Sequence, residues 1–192
     1  MTGSSGPWRP PAEVAAPAKE PAGPPPDDVH TAWVLWLAAT AFALVGMLLN
    51  VGTTRFADLP VATRDAFRDG VDTAGATEMS VETLFTASLA VGAVLAVLAA
   101  AVTLWLAFRL RAGRGWSRTM LDIVAIFLVV DAVSVVIGVF GGVAVAGQRG
   151  EAISFVVFSL QILAGLCAAT AVWRQHTPEA TAFTSGGARA GE

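Results

Sequence analysis

Charge is scarce in this chain. Charged residues make up 14% of its 192 residues, against about 25% in an ordinary soluble domain. A net charge of −3, with basic residues scattered along the chain, leaves no basic stripe and argues against nucleic-acid partners. The single cysteine, Cys167, excludes an intramolecular disulfide, a CxxC redox pair and a cysteine-ligated zinc site. It reads as a small packing residue. The only histidines, His30 and His176, fall outside the apolar stretches and lack metal-ligand spacing, so neither a metal nor a haem site is expected. Walker A, GxSxG, HExxH and GxGxxG motifs are missing. No catalytic residue and no cofactor is expected, and the chain is read as non-enzymatic. No cleavable signal or lipidation motif is visible, so the first apolar stretch is expected to act as an uncleaved signal anchor.

Apolar length is abundant instead. Hydrophobic residues are 55% of the chain and mean hydropathy is +0.64. Four apolar stretches run roughly Trp33–Val51, Leu84–Phe108, Leu121–Ala146 and Ala152–Trp173. A bilayer core about 30 Å thick needs about 20 apolar helical residues. A soluble fold would have to bury four helices apolar all round, more than a chain of this size can cover. The expected fold is an all-α membrane protein, a four-transmembrane-helix bundle with a disordered Pro-rich N-terminal tail.

Residues 1–28 hold eight of the ten prolines and read as a disordered cytoplasmic tail of polyproline-II character. Pro21-Ala-Gly-Pro24 matches PxxP, though a solvated spacer is the plainer reading. Residues 29–174 form the transmembrane domain, with spans at about 31–52, 81–109, 119–146 and 151–173. The outer loop 53–80 carries a short amphipathic helix over 59–69, with Asp58 as cap, Pro60 in the first turn and Gly70 as stop. Leu59, Ala62, Ala66 and Phe67 would share one face and could rest on the membrane or over the bundle. Residues 175–192 read as a flexible cytoplasmic tail.

Two signals orient the bundle. With both termini in the cytoplasm, eight basic residues lie inside against four outside. The short second loop is decisive, carrying Arg109, Arg111, Arg114 and Arg118. Trp33, Trp36, Trp105, Trp116 and Trp173 then all fall at that same interface, where tryptophan belts belong. The arginine loop with Trp116 is expected to contact anionic lipid or a partner.

Helices in lipid associate through close backbone approach and a few polar contacts. Span two offers Ser88 and Gly92, span three offers Ser134, Gly138 and Gly142, and span four offers Gly165. These faces are expected to pack within the molecule first; a homo-oligomer through them is the other possibility. Asp131 lies about 16 Å into span three and Gln161 about 14 Å into span four from the opposite side, so antiparallel helices bring them level. Asp131, Gln161 and Ser134 are thus expected to form an intramembrane polar contact. A carboxylate at mid-bilayer costs about 3 kcal/mol. Asp131 is therefore either interhelical glue or a proton or cation site. Asp122 lies near the interface, placed to pair with Arg118 at i,i+4.

Arg111-Ala-Gly-Arg-Gly-Trp-Ser-Arg118, running into the apolar span that starts at Leu121, resembles the R-x-G-R-x-W-[AS]-R cytoplasmic loop of small actinobacterial four-span integral membrane proteins of unknown function. The Pro-rich tail is similar to theirs, and arginine outnumbers lysine eleven to one. The resemblance implies a plasma-membrane location and no particular activity. Small multidrug transporters carry an acid in the first span, which is missing here, and membrane thiol oxidoreductases need CxxC. The expectation is a membrane scaffold, accessory or regulatory subunit, with membrane lipids and other membrane-protein subunits as partners. The alternative is a small proton- or cation-linked transporter or channel using Asp131.

Overall fold

The computed structural model describes residues 24–75, 79–141 and 151–189. The chain forms α1 (Asp27–Thr53), a 3₁₀ turn (Phe56–Asp58), α2 (Val61–Thr73), α3 (Val81–Arg111), α4 (Gly115–Phe140), α5 (Glu151–Gln175) and α6 (Pro178–Arg189), with no strand among the described residues. α1, α3, α4 and α5 are long and apolar enough to cross a membrane. The protein is an all-α, multi-pass membrane bundle.

Local chemistry explains where the helices start and stop. Asp27 and Asp28 occupy the first turn of α1, where carboxylates favour the positive end of the helix dipole. Ser80 caps α3, its hydroxyl accepting from the Thr83 amide at 3.2 Å. Gly113 breaks the chain between α3 and α4 with φ of 75°, a conformation that suits glycine. α4 therefore begins at Gly115, four residues before the expected start, and runs to Phe140, and residues 142–146 of the expected span lie outside the described residues. Gly142 lies outside the described residues, as do residues 1–23 of the Pro-rich tail.

The bundle is closed at one end and open along one side. α1 packs along both α3 and α5, and α5 packs along α4, whereas α3 and α4 share a much shorter seam. The buried core gathers at the end that carries the arginine loop, from Trp36, Ala39, Leu106, Leu110, Leu121 and Ala168 among others. Alanines dominate that core because helices in lipid gain by bringing backbones close. The buried residues of α3 are Thr103, Leu106, Ala107 and Leu110, all near its last turns. Away from the loop the two helices part. A crevice of about 510 Å³ lies between them, floored by Thr40, Ala43 and Met47 of α1.

Two expectations about the flanking segments need correction. The outer-loop helix runs Val61–Thr73, not 59–69, and Asp58 belongs to the preceding 3₁₀ turn. Of the expected face, Leu59 and Phe67 are partly covered while Ala62 and Ala66 are exposed, and Arg64 and Val71 share the covered side of the helix with Phe67. Phe67 decides this by packing with Phe56 and Phe85, at 5.9 and 5.6 Å between ring centroids. The C-terminal segment is not a loose tail in its first part. Pro178 suits the first helical position, and Ala180, Phe183 and Thr184 recur at helical spacing. That face docks under the α3–α4 loop, with the Thr184 carbonyl 3.1 Å from where a Cβ on Gly115 would stand.

Candidate functional site

Polar side chains meet at two depths. At mid-membrane, the Gln161 amide donates to Asp131 Oδ2 at 3.3 Å, joining α5 to α4. At that level α1 also packs on α5, a would-be Cβ on Gly46 standing 3.4 Å from Leu160 Cβ. Asp131 follows Val124 and Phe127 at i+7 and i+4, so it lies on the α4 face that walls the crevice, one turn beyond Phe127. The residue is exposed rather than enclosed. Ser134 does not join the contact. Its hydroxyl donates to its own helix, to the Val130 carbonyl at 2.7 Å, and it faces outward.

The small residues divide in the same way. Gly165 sits against α4 so closely that a Cβ would stand 2.5 Å from Ala132 Cβ and 2.9 Å from the Leu128 carbonyl. Gly92 faces Met47 of α1 at an ordinary 3.8 Å. Ser88 is exposed and bonds back to the Phe85 carbonyl. Gly138 is only partly covered, in the last turns of α4. Of that ladder on α4, the described Ser134 is exposed and Gly138 partly covered. The seam runs through Leu121, Ala125 and Ala132, because Gly165 admits alanine there and nothing larger.

The second polar site is at the arginine end. The Trp36 indole donates to Gln175 Oε1 at 3.1 Å, and the Gln175 amide donates to Asp122 Oδ1 at 2.7 Å. Asp122 Oδ2 faces His176 Nε2 at 3.5 Å. Trp36 and Gln175 are fully buried, so Trp36 is an internal tie and not a belt residue. Asp122 does not pair with Arg118. That guanidinium turns instead to the Thr181 and Thr184 hydroxyls of α6, at 3.1 and 3.5 Å. Sequence reasoning missed Trp36, Gln175 and His176 as partners because α6 and the last turn of α5 supply the competing groups.

The remaining loop arginines meet aromatic faces. Arg111 lies over Trp33 at 4.4 Å and Arg109 over Trp105 at 4.9 Å, while Trp105 and Trp116 pack at 5.6 Å. Arg114 is exposed. Among the described residues the ion pairs are Arg68–Asp65 and Arg174–Asp28, and His176 faces Asp122, so the four loop arginines have no carboxylate partner there. No cluster of three metal-ligating side chains occurs among the described residues.

Fold and sites define a multi-pass helical membrane protein with an open crevice and an intramembrane carboxylate. Comparison with family models, curated proteins and solved structures returns no match.

Proposed function

We propose that the chain is a non-enzymatic scaffold, accessory or regulatory subunit of a plasma-membrane complex, both termini cytoplasmic, and that a partner's membrane helix lies in the α3–α4 crevice. One observation carries this reading: Asp131 lies one turn beyond Phe127, on the α4 face that walls the crevice, and among the described residues has a single amide as partner. A carboxylate at that depth favours a further donor, and a partner helix bearing one would supply it. The α3 wall presents Ala96, Ala99 and Ala100, small enough for close helix approach. Polar lining is limited to Thr40 and Thr103. Both hydroxyls donate to their own helices, at 2.8 Å each, which leaves little to carry a water file toward Asp131. That weighs for a subunit over a transporter. The orientation rests on the arginine loop, and the resemblance of that loop to actinobacterial membrane proteins supports the plasma membrane.

Photocrosslinking in native membranes tests the reading. Crosslinkers at Ala99 and Phe127 should join one discrete membrane protein, and a crosslinker at the exposed Val94, on the far side of α3, should not. Asp131→Leu should release that partner and lower bundle stability by about 1 kcal/mol. Adducts to lipid alone would sink the proposal. Proton or cation flux in proteoliposomes, abolished by Asp131→Asn, would put the transporter in its place.

A further inference from the structure

We infer that the α4–α5 groove on the other side of the seam from Asp131 binds a single-chain amphiphile with a protonated primary amine, its head held by Asp122 and His176. The inference stands independently of the partner reading.

The groove is apolar along its length and polar at one end. A cavity of about 580 Å³ runs between Asp122, Ile126 and Val130 of α4 and Ala169, Val172 and His176 of α5. A second, of about 200 Å³, continues it past Val133 and Val136, sharing Val129 and Ala169 with the first. Asp122 to Val136 is about 21 Å of helix, somewhat more than one leaflet of a core about 30 Å thick. The length suits one hydrocarbon chain. Ile126, Val130 and Ala169 are exposed, so the groove opens sideways to the bilayer.

The head chemistry follows from how the mouth is built. Asp122 is fixed by Gln175, itself fully buried and fixed by Trp36. One carboxylate oxygen is thereby occupied, and the other faces the imidazole. His176 Nδ1 lies 2.9 Å from the Val172 carbonyl and so carries a proton, and in the neutral ring Nε2 presents its lone pair toward Asp122. In that neutral form two acceptors face each other, and their 3.5 Å separation is longer than the roughly 2.8 Å of a charge-assisted bond from a protonated ring. An ammonium with several N–H groups can donate to both. A carboxylate head would be repelled by Asp122, and a quaternary ammonium has no N–H to give.

The test uses the purified full chain in detergent and a long-chain primary amine carrying a mid-chain diazirine. Photolabelling should map to the Asp122–Val136 and Ala169–His176 segments. Unlabelled long-chain amine should compete, while the matching carboxylic acid and the trimethylammonium analogue should compete far less. Asp122→Asn keeps an oxygen for Gln175 and should cut labelling about tenfold. Ala169→Phe fills the groove away from the head and should abolish labelling with helicity and melting unchanged. Equal competition by the acid, or full labelling of Asp122→Asn, overturns the inference. Should Asp122→Asn lose its fold, the amine-against-acid comparison in the unaltered chain decides.

Discussion

Single atoms decide several of the contacts. Gly165 is the sharpest case, because its missing Cβ is what lets α5 touch α4. Gly165→Ala should lower stability by about 1–3 kcal/mol, the usual range for overpacking, read as a drop in detergent-solubilised melting temperature. Gly46→Ala is the control, since its Cβ would meet Leu160 at an ordinary 3.4 Å and should cost far less. An equal drop in both variants would show that the seam relaxes around Gly165. Residue-level legibility was uneven for physical reasons. Depth arithmetic along two antiparallel helices places Asp131 level with Gln161, and their side chains meet at 3.3 Å. Asp122 was illegible, because its i,i+4 neighbour Arg118 has competing acceptors on α6 and Gln175 arrives from the far end of the chain.

The four spans are legible from apolar length alone, since nothing else in the bilayer constrains a helix so simply. Spacing of small residues marks a face without saying which helix meets it: Ser134 of α4 is exposed, whereas Gly165 of α5 lies hard against Ala132. α6 escaped notice because, among the residues whose burial is described, the apolar ones on its packing face are Ala180 and Phe183, too few to signal a helix in isolation. Tertiary contact supplies what propensity does not: Phe183 lies 3.2 Å from a would-be Cβ on Gly113, and Arg118 bonds the α6 hydroxyls. A chain stopped after Thr177 should therefore keep its four spans yet lose the cover over the arginine loop. Trypsin should cut at Arg114 several-fold faster in the truncated protein than in the full chain, in membranes with that face exposed. Unchanged cleavage would mean that α6 leaves the loop in solution.

At the scale of the whole molecule, the proposed orientation makes opposite faces chemically distinguishable. In a Cys167→Ala background, cysteine at Ala112 should resist an impermeant thiol reagent in intact cells, while cysteine at Thr73 should react. The reverse pattern would invert the bundle. The Trp36–Gln175 bond also bears on how the protein is made. It joins partners 139 residues apart, and α1 shares its most extensive seam with α5. Through most of synthesis, α1 sits in the bilayer beside α3 with the Gly46 face open and the Trp36 indole without its acceptor. Loop-closure entropy is met only when the last span enters. A ribosome that stalls after α4 thus releases a product with every span inserted so far and no closed core. Completion of the final span is therefore the event that closes the core.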